Sequence, residues 1–140
     1  MSRLPRVLFP FAVAAIAIAA GCGSPPGPDY DTHLPSVTGT ITLDGATTVP
    51  ANSELAVRLV DLSRTDTARV VVEQTISAPE EFPYHYRLYY RPNTIAYAHD
   101  YGVEAAVTVN GRAVWTQTDP NPVLTKSRPV VANIVLHQGK

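Results

Sequence analysis

From Val37 onward the sequence alternates. Val37, Gly39, Ile41 and Leu43 stand in one phase and Thr38, Thr40, Thr42 and Asp44 in the other, the period of a strand with one buried face. Leu55, Val57 and Leu59 repeat the pattern around Arg58, after the turn-like run Pro50-Ala51-Asn52-Ser53. Val70, Val72 and Ile76 are set against Glu73 and Thr75, and Ser63 to Ala68 reads as a polar connection between the two runs. Nothing beyond residue 37 holds a helical period for three turns. Thirteen prolines and eight glycines fall mostly between the apolar runs, where turns belong. The expected fold is therefore all-β: a small antiparallel β-sandwich of about seven strands, immunoglobulin-like in size.

The aromatic stretch after Pro83 carries most of the side-chain bulk. Phe82, Tyr84, Tyr86, Leu88 and Tyr90 share one face, and His85, Arg87 and Tyr89 the other. Each large side chain on the inner face is worth ~1.5–3 kcal/mol when buried. The aromatic face could also be read as a platform for stacking sugars, but its spacing is that of a core face, and core is the preferred reading. Pro83 places the strand at a sheet edge or at its own start. Arg91-Pro92-Asn93-Thr94 ends it, and Ile95 and Tyr97 are expected to fold back as a lid over one end. The outward trio His85, Arg87 and Tyr89 is the candidate partner-binding surface, because Tyr and Arg are favoured at interfaces; the competing reading is a plain solvated strand face.

Tyr101, Val103, Ala105, Val107 and Val109 form a further strand, followed by Asn110-Gly111 and a run from Ala113 to Thr118. A three-residue loop with Gly111 in the bulge position would set Trp115 opposite Ala105 on the buried side; a two-residue loop alone would turn it outward. Burial of the tryptophan favours the first. Asp119 to Pro122 reads as a loop, Val123 to Thr125 as a short extended piece, and Val130 to Leu136 as the closing strand. That last segment is apolar in both phases, Ala132, Ile134 and Leu136 against Val131 and Val135, so cover on both sides is expected.

The N-terminal segment is of another kind. Arg3 and Arg6 precede a 14-residue apolar run, Val7 to Ala20, broken only by Pro10. A bilayer-spanning helix needs ~20 such residues, whereas 14 suits the apolar centre of a signal peptide. Ala19-Ala20-Gly21-Cys22 looks like a bacterial lipobox, with alanine at position 19 where leucine is commoner. That resemblance implies cleavage between Gly21 and Cys22 and covalent lipid on the Cys22 thiol; the alternative is ordinary secretory cleavage with a free cysteine left over. Cys22 is the single cysteine of the chain, so no other thiol competes for that role. Pro25, Pro26, Pro28 and Pro35 then make a semi-rigid spacer reaching on the order of 40 Å. The expected divisions are 1–21 signal peptide, 22–36 lipidated cysteine and tether, and 37–138 folded domain. The absence of aspartate at position 23 suggests the outer rather than the inner membrane, facing the periplasm.

Little in the remaining residues speaks for catalysis. No histidine among His33, His85, His99 and His137 has a partner at strand or helix spacing for a metal, and His99-Asp100 is the only adjacent pair. Glu80 and Glu81 are neighbours on what reads as a strand, so they would point to opposite faces. There is no Gly-x-Ser-x-Gly elbow and no glycine-rich phosphate loop. Without Arg3 and Arg6 the chain carries nine Lys and Arg against 12 Asp and Glu, which offers no basic excess for nucleic acid. The expectation is a non-enzymatic binding module with no cofactor beyond the lipid.

Val37-Thr-Gly-Thr-Ile41, Val49-Pro50 leading into Ala56 to Ser63, Pro83-Tyr-His-Tyr86 with Leu88, Tyr90 and Ile95, Tyr101 to Ala105, Asn110-Gly111 and Pro122-Val-Leu-Thr125 occur in an order and spacing that resemble the YscW-like (YbaY-like) lipoprotein family. The resemblance covers residues 37 to about 137 and departs at Arg91, where the family commonly has an acidic residue. It implies a small β-sandwich on a lipid anchor. It also implies, for some members, a pilotin role in carrying a secretin subunit to the outer membrane in type III secretion. The alternative is a general cell-envelope lipoprotein with a structural or small-ligand-binding role.

Overall fold

The computed structural model describes residues 34–139; the signal segment, the Gly21–Cys22 junction and the tether up to residue 33 lie outside them. Sequence alternation becomes alternation in burial. The strands are β1 (Ser36–Leu43), β2 (Ser53–Asp61), β3 (Val70–Ser77), β4 (Tyr84–Tyr89), β5 (Tyr101–Val109), β6 (Arg112–Thr116), β7 (Asn121–Val123) and β8 (Ile134–Gln138). Short 3-10 turns occupy Thr67–Arg69 and Pro92–Thr94, and no helix among the described residues is long and apolar enough to cross a membrane. Val37, Ile41, Leu55, Val57, Leu59, Tyr86, Leu88, Tyr101, Val103 and Val107 are buried together in one core.

The strand order is β3-β2-β5-β6-β8-β1-β4, with the short β7 added to β5. Two registered pairs, Trp115↔Gln138 and Thr116↔His137, carry β6 onto β8 and curl the sheet into a nearly closed, barrel-like sandwich. The expected all-β sandwich is thus found, with one ladder of the other polarity. β1 pairs antiparallel with β4 but parallel with β8, through Ile41↔Ile134, Thr42↔Val135 and Leu43↔Leu136. Taken together, the registers put Ser36, Asp61, Tyr89 and Tyr101 at one pole and Leu43, Ser53, Tyr84 and Val109 at the other. Loops 62–69, 90–100 and 124–129 gather at the first pole, where the chain enters. Loops 44–52, 78–83 and 110–111 gather at the second.

Among the described glycines, Gly39 has the tightest surroundings. A Cβ there would lie 1.9 Å from the carbonyl oxygen of Ala132 and 2.9 Å from the Tyr86 hydroxyl. The lack of a side chain lets the segment before β8 run against β1, where Thr38 N–H donates to Val130 O (3.0 Å) and Ala132 N–H to Thr38 O (2.9 Å). Tyr86, buried beside the same spot, donates its hydroxyl to Ala132 O at 2.6 Å. Asn133 completes the seam by accepting from Thr40 N–H and Oγ1, both at 3.1 Å.

Several local features differ from the sequence expectation, each for a physical reason. The β5–β6 turn is a two-residue loop, with Asn110 and Gly111 both at positive φ (51° and 77°) and Val109 opposite Arg112. A register shift then sets Trp115 opposite Val107, so the tryptophan is buried by a bulge inside β6 rather than by a longer turn. A similar shift between Leu59 and Val60 pairs Val60 with Val70, which turns Val70 out into solvent, away from the phase of Val72 and Ile76. The run Asn121–Val123, two residues before the expected extended piece, forms β7, because Leu124 adopts φ 72° and ends the strand. Between β7 and β6 the Gln117 side chain completes the edge of β5, accepting from Ala105 N–H at 3.0 Å and donating to Val103 O at 3.2 Å. Ile95 packs on the core, but Tyr97 is 90% exposed and covers nothing. Cover on the second side of Val130 to Leu136 is also missing, with Val131 and Val135 about half exposed. β1 begins at Ser36, the last residue assigned to the tether, and Pro35 O already accepts from Tyr90 N–H at 3.1 Å.

Gly39→Ala is expected to destabilise the domain by at least about 3 kcal/mol in urea unfolding, because the opposing atoms are backbone. Tyr86→Phe should cost about 1–2 kcal/mol through the orphaned Ala132 carbonyl. Burial pushes the Tyr86 phenol above its ordinary 10.0. A raised pKa of this kind gives stability that is full below about pH 10 and lost as pH climbs further. Unfolding free energies at pH 8 and pH 11 should therefore differ less in Tyr86→Phe than in the native chain.

Candidate functional site

β4 ends the sheet, and the side of it that faces away from β1 has no strand partner among the described residues. β3, the other edge, comes close to β4 without a registered pairing. An edge of this kind offers alternate backbone N–H and C=O groups to an incoming strand. Pro83 caps its start, as expected of an edge strand.

The register brings the trio His85, Arg87 and Tyr89 onto one outward surface. Tyr89 lies opposite Ser36, Arg87 opposite Thr38 and His85 opposite Thr40. On the far side of β1 the rows of Arg87 and His85 continue into Val131 and Asn133, and Val135 lies opposite Thr42 in the next outward row. The Arg87 guanidinium carbon stands 5.9 Å from the centre of the Tyr89 ring, within reach of a cation–π contact. The sequence could place the trio on one face. It could not place Val131 and Val135 beside it, since that depends on the parallel β1–β8 ladder.

The outer face of the other half of the sheet differs in character. Glu54, Glu73 and Glu104 point outward there with Arg58, in registered rows across β3, β2 and β5. Arg58 pairs with Glu73, and Arg69 with Glu104. A shallow open groove of about 400 Å3 crosses this face, floored by Ala56, Ala106 and Ala113 and rimmed by Arg58, Glu104 and Asp119. A second, more open hollow lies between the two edge strands, lined by Ile76, Tyr84, His85, Glu80 and Glu81. Glu80 and Glu81 sit in the connection before β4 rather than on a strand, because Pro79 and Pro83 bracket them.

The polar clusters at the chain-entry pole hold loops in place. Asp61, almost fully buried, meets His99 Nδ1 at 2.6 Å and accepts from Ser63 N–H at 2.9 Å. Thr125 Oγ1 donates to His99 O, and Ser63 Oγ accepts from Asp100 N–H. Lys126 and Arg128 both donate to Asp100, at 2.8 and 2.7 Å, and the Lys126 ammonium above all holds the Asp100 carboxyl below its ordinary 3.8. At the opposite pole His137 meets Asp44 at 3.0 Å. The sequence put His99 next to Asp100, but its carboxylate partner is Asp61, 38 positions away. Among the described residues no three His, Cys, Asp or Glu side chains come together as a metal site would require.

Comparison with known proteins gives two matches. The model of the YscW family, described as type III secretion system lipoprotein chaperone, matches residues 32–136. A solved structure described as an alternative pilotin from the type II secretion system of Vibrio cholerae is similar at a TM-score of 0.69. It shares 23% sequence identity, over 76% of this chain and 98% of that one, and at this identity the likeness speaks for the fold alone. No curated protein matches.

The exposed valines separate surface from core. Val135→Ser should change unfolding free energy by less than about 1 kcal/mol. Its buried neighbour is a different case, and Leu136→Ala should cost about 2–5 kcal/mol in the same denaturant titration.

Proposed function

Because the chain belongs to the YscW family of type III secretion lipoprotein chaperones, we propose that it is a lipid-anchored, non-enzymatic carrier of an outer-membrane secretin subunit. The family match over residues 32–136 is the observation that supports this reading. In it, the signal peptide is cleaved between Gly21 and Cys22, the Cys22 thiol carries diacylglycerol, and the domain stands in the periplasm on the outer membrane. More than one acyl chain makes such an anchor stable, since a single chain binds only reversibly. The carrier needs no cofactor apart from this covalent lipid.

Contact with the client is assigned to the open edge of β4. An extended client segment would add there as a further strand, taking affinity from backbone hydrogen bonds and specificity from side chains in alternate positions. The hollow beside Ile76 and Tyr84, between the two edges, offers such a segment an apolar seat. His85, Arg87 and Tyr89 flank this edge on the outer face without blocking it.

Photocrosslinkers placed along β4 in intact cells should trap a secretin or another outer-membrane client, and the same probes along β6 should not. Recovery of the chain alone under repeated conditions would argue against the carrier. For the anchor, labelled-lipid incorporation should be lost in Cys22→Ser, which should leave the membrane fraction. Retained label in that variant would refute acylation at this residue.

A further inference from the structure

The two poles of the sandwich are not alike. The described residues expose seven large apolar side chains: Leu62, Val70, Tyr89, Tyr97, Val130, Val131 and Val135. Six of them stand at the pole where the chain enters, and only Val135 lies toward the other. Charge follows the same division. The entry-pole loops 62–69, 90–100 and 124–129 carry Arg64, Arg69, Arg91, Lys126 and Arg128 against Asp66 and Asp100. The opposite loops 44–52, 78–83 and 110–111 carry Asp44, Glu80 and Glu81 and no Lys or Arg. Arg87 adds a cation beside Tyr89 on the entry side. Of these cations Arg64 pairs with Asp66, Arg69 with Glu104, and Lys126 and Arg128 both with Asp100, while Asp61 meets His99; at the other pole Arg112 opens β6 beside the acidic loops.

We propose that this pole is a membrane-docking surface, seated on the anionic headgroups of the bilayer in which the chain is anchored. This rests on the anchor at Cys22 described above. Tyr89 and Tyr97 suit the headgroup level, where an aromatic ring with a polar tip is at home. Val130 and Val131 supply apolar contact, and Arg87 and Arg91 can fork onto lipid phosphate. Two observations select lipid over other occupants. The first is where the chain leaves the described residues. Pro35 is bonded to Tyr90 at this pole, and only residues 23–33 separate Cys22 from Leu34, a span of roughly 35 Å at full extension. The tether therefore joins the domain at this pole, the end of the sandwich linked most directly to the bilayer. The second is complementarity, a basic pole toward anionic lipid and an acidic pole away from it. Neither Tyr nor Arg needs to bind tightly, because the tether keeps the effective concentration of lipid high. The open edge of β4 runs from pole to pole and stays accessible at the side.

The test couples the mature chain, beginning at Cys22, through that thiol to a maleimide lipid in nanodiscs doped with a gadolinium-chelating headgroup. Attachment then does not depend on whether the cell acylates Cys22, so a failed anchor and a failed docking surface give different results. With phosphatidylglycerol in the disc, amide relaxation in loops 90–100 and 124–129 should exceed that in loops 44–52 and 78–83 severalfold. The excess should fall in purely zwitterionic discs, and again in the double variant Arg91→Glu with Tyr97→Ser, both at exposed positions. Equal relaxation at the two poles would overturn the proposal. So would entry-pole signals that ignore lipid and shift only when a client protein is added, which would make this pole a protein-binding surface instead.

Discussion

The sandwich depends on one close contact between its first and last strands. Gly39 leaves room for the Ala132 carbonyl, and that carbonyl takes the buried Tyr86 hydroxyl beside it. Three strands are thereby pinned at one point: β1, β4 and the segment leading into β8. A methyl group at residue 39 would push that segment off the β1 backbone, and the parallel ladder would lose its start. Without the ladder, β4 and β1 are joined to the rest of the sheet only by packing. The open edge, the outward trio and the entry pole all take their positions from this joint.

What the sequence could show was periodicity. The faces of β1, β2, β4 and β5 were legible because each strand alternates cleanly over four or more residues, and the turn residues Asn110 and Gly111 stood where the chain reverses. The failures share a cause. Val70, Trp115 and Leu124 all depend on bulges or left-handed residues, which change register without changing composition. Trp115 was assigned to the correct face by the demand that it be buried, yet the device that buries it sits within β6 and not in the turn. The parallel β1–β8 ladder joins residues too far apart in sequence for any local pattern to report it.

The candidate surface was legible to a similar degree. His85, Arg87 and Tyr89 could be set on one outward face by counting in twos. Their neighbours Val131 and Val135 read as residues needing cover, and in the folded chain that cover is absent. Tyr97 moved the same way, from expected lid to the most exposed large apolar side chain among the described residues. In each case the sequence recognised an apolar residue, but whether something packs over it is a property of topology. The asymmetry of the poles is likewise invisible along the chain. Lys126, Arg128, Arg91 and Arg64 are scattered in sequence and share a pole only because the connections after β2, β4 and β7 do.

The pairing of β1 with β8 also bears on how such a chain is made. Thr40 and Asn133, which bond across this seam, are 93 positions apart. A polypeptide made from its N-terminus presents β1 first and β8 well after it. Until the final strand emerges, β1 has β4 on one side and an unmet row of backbone groups on the other. The β2–β3–β5 half can form earlier from sequence neighbours, but the closing joint must wait for β8. Throughout that interval the acceptor for β8 is open to any extended segment nearby, so the arrival of β8 sets the folding clock.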